Sequence, residues 1–551
     1  MKHVLLIGAA ALAFVAVPAA AQVADPSVST NPLTDRATLE NDVRTLADDA
    51  MEGREAGTDG YERAAQYVAG RYADIGLLPA GDGDSYYQSF NLVRHSAAAD
   101  TRMGIIGADG SRMKAEYGTD FVGGGFASAG GEDGAGTVEA ELVFVGHGLQ
   151  IPSLGYNDLE GVDLEGKIVV WVFDLHDDLD SLLSTHLLQA GAERFAASGA
   201  VGAIMVWPEA QNIPYERAVS FFGNVGGLTW AGPDGVAFDG GGDLEFALVA
   251  SPALSRELLA GTAFDMDALN AALRTPGSDM PSFEIDRTVR VSYANAYEHE
   301  LTTGNVLAML PGTDPSVADE YVVITAHLDH EGLQAGHGPD NDQLYNGAMD
   351  NATGVSALLE MGRLLAAEPP RRPVIFAALG AEELGLLGSS YHANNQDLDN
   401  GSIVANVNVD MPVLTYPFVD VVAFGSDRSN LGAAVDAAVA AYGLTLVPDP
   451  NPGENFFFRS DQYSYVRAGI PAVYVEIGFG NGGQEAQTSF LSTHYHEPSD
   501  EADLIAYEQL GRFADIAYLV VRDVGNMPET PAWNSGDFFG DVFGGPVQGG
   551  E

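Results

Sequence analysis

Apolar residues recur at helical spacing in Leu39–Leu46 and Ala64–Leu77, and Met51-Glu52-Gly53-Arg54-Glu55-Ala56-Gly57 between them reads as a turn. Beyond Gly104 the texture changes. Glu139 to Gly146, Lys167 to Val172 and Ala203 to Trp207 read as strands set among glycine-rich turns, with one helical stretch at Ala192–Ala200. From Asn305 onward, buried strand and helix alternate. Strands are expected at Tyr321–Ala326, Val374–Leu379, Ile403–Val409, Val421–Phe424 and Ala472–Ile477, and helices at Gly354–Ala367, Leu384–Asn394, Leu431–Tyr442 and Ala502–Asp523. Such alternation predicts an α/β layer architecture. The expected organisation is a leader over 1–21, the first part of the main unit over 22–136, a β-rich insert over 137–287, the rest of the main unit over 288–525 and a Gly/Phe-rich tail over 526–551. The tail carries Trp533, Phe538, Phe539 and Phe543, and an ordered clasp and a loose end fit it equally well.

Composition removes several functions. With 25 Lys plus Arg against 78 Asp plus Glu, the formal net charge of −53 excludes nucleic acid as a partner and disfavours anionic lipid. Cysteine is absent, so disulfides, thiolate zinc sites and a Cys nucleophile are all excluded. A serine nucleophile has no support either, since the chain holds no Gly-x-Ser-x-Gly elbow. Met1-Lys2-His3, the uncharged run Val4 to Val17 and the small residues to Ala21 form the pattern of a secretory signal cleaved before Gln22. The run is too short for a spanning helix, so a protein without stable membrane insertion is expected in the periplasm or outside the cell.

Candidate chemistry collects just past the expected strand ends, where open α/β sheets place their ligand sites. His327 and Asp329 follow the first of these strands, Glu382-Glu383 the second and Asp410 the third; Asp350 opens a helix and His496 precedes the last one. His327, Asp350, Glu383, Asp410 and His496 make two imidazoles and three carboxylates, a mix suited to zinc and open to manganese or cobalt. With one bridging carboxylate, five side chains can hold two ions. Asp329 is placed to accept a hydrogen bond from the free imidazole nitrogen of His327. Of the pair Glu382-Glu383, one carboxylate binds metal while the other takes a proton from water and returns it to the leaving group.

Six ordered segments carry a resemblance. Ala326-His327-Leu328-Asp329, Asn346 to Val355, Ala381-Glu382-Glu383-Leu384-Gly385-Leu386-Leu387-Gly388-Ser389, Asn408-Val409-Asp410-Met411, Ser460-Asp461-Gln462-Tyr463 and His496-Glu497-Pro498-Ser499-Asp500 look like the signatures of the secreted di-zinc aminopeptidases of peptidase family M28. Leu164 to Val169 and Gly199 to Ile204 are similar to a protease-associated domain. The resemblance implies a mixed central sheet flanked by helices, of zinc aminopeptidase type, with an inserted β-rich protease-associated-like domain. It implies two zinc ions, with Asp350 bridging, His327 and Asp410 on one ion and Glu383 and His496 on the other. Glu382 is then the general base and Asp329 the partner of His327. His494 competes with His496, which directly precedes the matching Glu-Pro-Ser-Asp run. The implied reaction removes N-terminal residues from peptide substrates, with the insert as a lid; Tyr463 and Tyr465 are expected in the core first, and as donors to the oxyanion second. Two readings stand beside it: a carboxypeptidase or dipeptidase on the same metals, with Arg459 or Arg467 binding the substrate carboxylate, and a non-catalytic receptor-like scaffold.

Overall fold

The computed structural model describes residues 32–549 apart from 98–100, 127–133, 153–154, 173–192, 211–213, 223–226, 240, 243, 276–277, 279, 335–341, 397 and 399–400. The expected leader, residues 1–21, lies outside the described residues, and of the expected helical stretch Ala192–Ala200, whose first residue also lies outside them, only Glu193–Ala196 is helical.

The larger sheet is built from eight principal strands, β1 (Tyr87–Ala97), β2 (Leu228–Ala231), β3 (Phe283–Leu310), β4 (Glu320–His327), β5 (Val374–Leu379), β6 (Ser402–Val409), β7 (Asp420–Phe424) and β8 (Ala472–Ile477). Their order is β2-β1-β3-β5-β4-β6-β8-β7. The middle four, β5-β4-β6-β8, are parallel, and the flanking pairings are antiparallel. The sheet is thus mixed, with helices on its faces, as expected. The central strands are apolar without alternation because both of their faces are covered. On one face Val322, Ile324, Phe376 and Val407 pack against helices α1 (Arg36–Leu46), α2 (Asp59–Ile75), α3 (Thr353–Ala367) and α6 (Tyr507–Gly525). On the other, Val323, Ile375 and Ala377 meet Ala393 of α4 (Leu387–Asn394) and Tyr465 of α5 (Gln462–Arg467). The chain leaves β4 for β5 on one side and then returns to β6 on the other, so β4 is the point where the winding reverses. A crevice forms at such a reversal, outside the carboxyl ends of the strands.

Two helix starts fall later than the apolar spacing suggests. Leu384–Leu386 is a turn rather than the first turn of a helix, since Leu386 takes φ +61°. Ala502–Leu504 is a separate short turn, and the long helix begins only at Tyr507 after Ala506 breaks the helical conformation with ψ 87°.

A second sheet contains Arg102–Gly107, Phe121–Gly125, Ala135–Phe144, Ile168–Val172, Gly202–Val206 and Phe246–Ala250, together with the first half of β3. It reaches beyond the 137–287 span on both sides. The reason is β3: its 28 residues pair with Ala135–Phe144 through Ala294 and with β1 from Asn295 onward, so no turn separates the two sheets. The tail is laid down as a clasp. Trp533 is fully buried, its indole N–H donates to the Gly469 carbonyl (3.0 Å), and its cluster joins Phe539, Val422 and Phe424 to Leu149 and Ile151 of the second unit. No helix among the described residues is long and apolar enough to cross a membrane.

Candidate metal centre

His327 ends β4, the Glu382-Glu383 pair follows β5 and Asp410 follows β6, so three neighbouring parallel strands deliver their next residues to one crevice. Asp350 arrives from a wide turn that precedes α3, in a non-helical conformation (φ −106°, ψ 97°), and its peptide bond to Asn351 is cis. His496 comes from the loop before α6, at φ +52°. These five side chains meet around one carboxylate. Asp350 Oδ1 lies 3.1 Å from His327 Nε2, which is itself 2.9 Å from Asp410 Oδ1. Asp350 Oδ2 lies 3.2 Å from His496 Nε2, which is 3.2 Å from Glu383 Oε2. The two oxygens of Asp350 therefore face two separate groups of donors.

Such a cluster gathers three carboxylates and two imidazoles in a buried crevice, a charge arrangement that a divalent cation stabilises. The imidazole-to-carboxylate spacings of 2.9 to 3.2 Å are close to the edge of a tetrahedron with bonds of ~2.05 Å, about 3.3 Å. The donor set fits zinc, and its lack of sulfur leaves manganese and cobalt open. Burial opposes charge on His327, but Asp410 and Glu382 outweigh it and raise the imidazole well above its usual range. Burial likewise works against ionised Asp350, and the hydrogen bonds from His327 and His496 prevail, holding it well below the usual carboxylate range. Burial pushes Glu382 well up, with His327 opposing and Glu383 and Asp410 reinforcing the shift.

Asp329 sits differently from the sequence-based expectation. The Nδ1 of His327 faces the main-chain oxygen of Asp329 at 3.2 Å, while the Asp329 carboxylate is 4.0 Å away. That carboxylate accepts the backbone N–H groups of Glu382 (3.1 Å) and Glu383 (3.3 Å) instead. A two-residue separation brings the backbone of Asp329 under the ring and leaves its side chain to clamp the neighbouring turn.

The surrounding residues complete the support. Ser460 Oγ donates to Asp410 Oδ2 at 2.6 Å, and Asn408 Nδ2 donates to both Ser460 Oγ and Gln462 Oε1 at 2.8 Å. Asp500 accepts the N–H groups of Met349 and Asp350, which fixes the turn that presents Asp350. Buried Arg54 donates to the carbonyls of Leu46, Leu328, Asn346 and Gly347, tying the N-terminal turn to two ligand-bearing loops. Burial pushes its guanidinium down to about 10, against the pull of Asp350 and Asp500.

Two neighbours escape the sequence reading. His330 Nδ1 is 2.8 Å from Glu383 Oε1, and Glu331 Oε1 is 3.3 Å from His496 Nδ1. Both lie past the strand end in an irregular loop, and the only signal for them is proximity to His327. His494 turns away from the centre, with Nδ1 2.9 Å from Ser499 Oγ. Tyr465 is a core residue whose hydroxyl pairs with His392 Nδ1 at 2.7 Å. Tyr463 differs: its hydroxyl is buried without a hydrogen-bond partner, on the wall of a cleft. This cleft, about 900 Å³, runs from Glu382 and Glu383 past Tyr463, Arg459 and Arg467 to Gly124 and Phe126 of the second sheet.

Fold and cluster together define an α/β protein with a candidate metal centre at the carboxyl ends of its strands. Residues 305–521 match the family model described as Peptidase family M28, and this stretch is a peptidase M28 domain. Among curated relatives, the chain is 26% identical over 218 residues to the aminopeptidase YwaD of Bacillus subtilis (38% of this chain, 43% of the relative). It is 32% identical over 176 residues to an aminopeptidase of Pseudomonas aeruginosa, covering 30% of each chain. The chain thus spans less than half the length of these relatives. Among solved structures it is similar to BSAP, a zinc aminopeptidase from Bacillus subtilis, with 18% identity, a TM-score of 0.41 and coverage of 92% of this chain and 99% of that one.

Proposed function

We propose that the protein is a secreted, zinc-dependent aminopeptidase that removes N-terminal residues from peptides with two metal ions and Glu382 as general base. The observation that carries the reading is the divided environment of Asp350, one oxygen toward His327 and Asp410 and the other toward His496 and Glu383. The M28 domain and the aminopeptidase names of its relatives support the same activity. Ions held there supply Lewis-acid polarisation of a carbonyl and acidify a water. Glu382 sits beside this cluster on the cleft wall, fixed through its backbone by Asp329. Its carboxylate is placed to take the proton of the attacking water and to return it to the leaving amine. The hydroxyl of Tyr463, without a hydrogen-bond partner in the structure, belongs to a residue lining the same cleft and is available to a bound substrate.

The decisive experiment pairs Glu382→Gln with the unaltered protein on peptides with free or acetylated N-termini. Turnover is expected only with a free amine, and the variant is expected to lose about 10³-fold in kcat while keeping its metal content. Loss of metal along with turnover would make Glu382 a ligand rather than the base. One observation favours a second reading: Arg459 and Arg467 both line the cleft, where a guanidinium can pair with a substrate carboxylate. Cleavage confined to peptides with a free carboxyl terminus would select that carboxypeptidase or dipeptidase activity.

A further inference from the structure

The candidate metal centre is bordered by two cavities of unequal size. The large cleft adjoins Glu382, and a separate small pocket of about 50 Å³ is lined by Met411, Tyr474, Phe424 and Glu476 among others. Its connection to the centre is direct. Met411 follows Asp410 in the chain, and the Tyr474 hydroxyl donates to the Asp410 carbonyl at 3.0 Å. A single water needs at least ~10–15 Å³ measured this way, so the pocket admits about four heavy atoms: the outer end of one slender side chain, with the rest of its stem lying at the mouth.

The strand register explains its chemistry. Tyr474 and Glu476 are two apart on β8 and share a face, opposite Phe424 and Val422 of β7. Val473, Val475 and Ile477, on the other face, join the main core. A glutamate therefore occupies an inward position among aromatic and aliphatic neighbours, only 9% exposed. Its Oε1 accepts the N–H of Ile477 (2.6 Å), and it has no ion pair among the described residues. Asp449 adds a second carboxyl to the lining, and no lysine, arginine or histidine contributes to it. Buried carboxylates are costly unless a cation pairs with them, and this pocket supplies none of its own.

Resting on the aminopeptidase reading, we infer that this pocket receives the side chain of the substrate's first residue and that Glu476 selects a cationic one, lysine or arginine. The apolar walls formed by Phe424, Tyr474 and Met411 suit the methylene stem of such a side chain, and the carboxylates of Glu476 and Asp449 suit its charged end. A small pocket beside a much larger cleft also fits removal of one residue from a longer peptide.

The test measures kcat/KM for lysyl, arginyl, leucyl and methionyl 4-nitroanilides with the zinc-loaded protein, Glu476→Gln and Asp449→Asn. The lysyl-to-leucyl ratio is read within each preparation, so the fraction of folded protein cancels. In the unaltered protein, lysyl and arginyl substrates are expected to lead by at least tenfold. Glu476→Gln is expected to lower the lysyl-to-leucyl ratio by about ten- to a hundredfold, the worth of a charged hydrogen bond, and Asp449→Asn to lower it less. A lead for leucine or methionine, or a ratio unmoved by Glu476→Gln, would overturn the inference while leaving the aminopeptidase reading intact. If no anilide is cleaved at all, the two fall together. Should Glu476→Gln lose all turnover, competition in the unaltered protein decides: free L-lysine must inhibit more strongly than L-leucine, and the reverse order overturns the inference.

Discussion

The two halves of the candidate metal centre are built from similar donors but held very differently. On one half, His327 ends a central strand with its side chain 2% exposed, and Asp410 follows the adjacent strand, gripped by Ser460. On the other, the side chain of His496 is 31% exposed, sits on a loop at positive φ and leans on the ring of Tyr495 and the carboxylate of Glu331. The same carboxylate, Asp350, serves both. A position set by sheet hydrogen bonds resists displacement more than one set by a loop, so the strand-borne half should bind its ion more tightly and the loop-borne half should exchange.

The largest effect should follow from His327→Ala. It removes the donor shared between Asp350 and Asp410 and leaves both buried carboxylates without it. Turnover is expected to fall by at least ~10³-fold, without recovery in excess zinc, as measured by kcat alongside metal content. His496→Ala should be milder. One equivalent of metal is expected to be lost and activity to fall about ten- to a hundredfold, with partial recovery in excess zinc; equal behaviour of the two variants would erase the distinction between halves. Chelation of the unaltered protein should then proceed in two phases, followed by metal analysis, the first removing about one equivalent. The smallest effect belongs to Asp329→Asn. It keeps one acceptor for the N–H groups of Glu382 and Glu383 but removes the charge, and kcat is expected to drop about tenfold with KM little changed.

The contrast between the halves also bears on what sequence can tell. His327, Glu383 and Asp410 follow runs of apolar strand residues, so their convergence is legible from strand order alone. Asp350 and His496 belong to irregular segments, and only the surrounding motifs draw attention to them. His330 and Glu331 carry neither signal. The orientation of Asp329 depends on whether a backbone or a side chain meets His327, a choice made by the local path of the loop. In the fold, β3 escapes pattern reading because residues 296–300 are exposed and polar or charged in the main, interrupting the alternation. The helix Gly483–Thr493 is hidden for a related reason, burying only Gly483, Gln487 and Phe490. Pocket specificity is less legible still, since Glu476 looks like a misplaced charge in an apolar strand until the register shows what it faces.

The unbroken course of β3 sets how the molecule can come apart. Its backbone hydrogen bonds pass from one sheet to the other, with slips in register between Ile285 and Thr288 and between His299 and Leu301. Losing the second sheet would unzip the same strand that borders β5 of the M28 domain, so partial unfolding of one sheet carries a cost in the other. The shared strand departs from regular pairing at these two slips, one within each ladder, while the changeover at Ala294–Asn295 keeps both neighbours paired without a break.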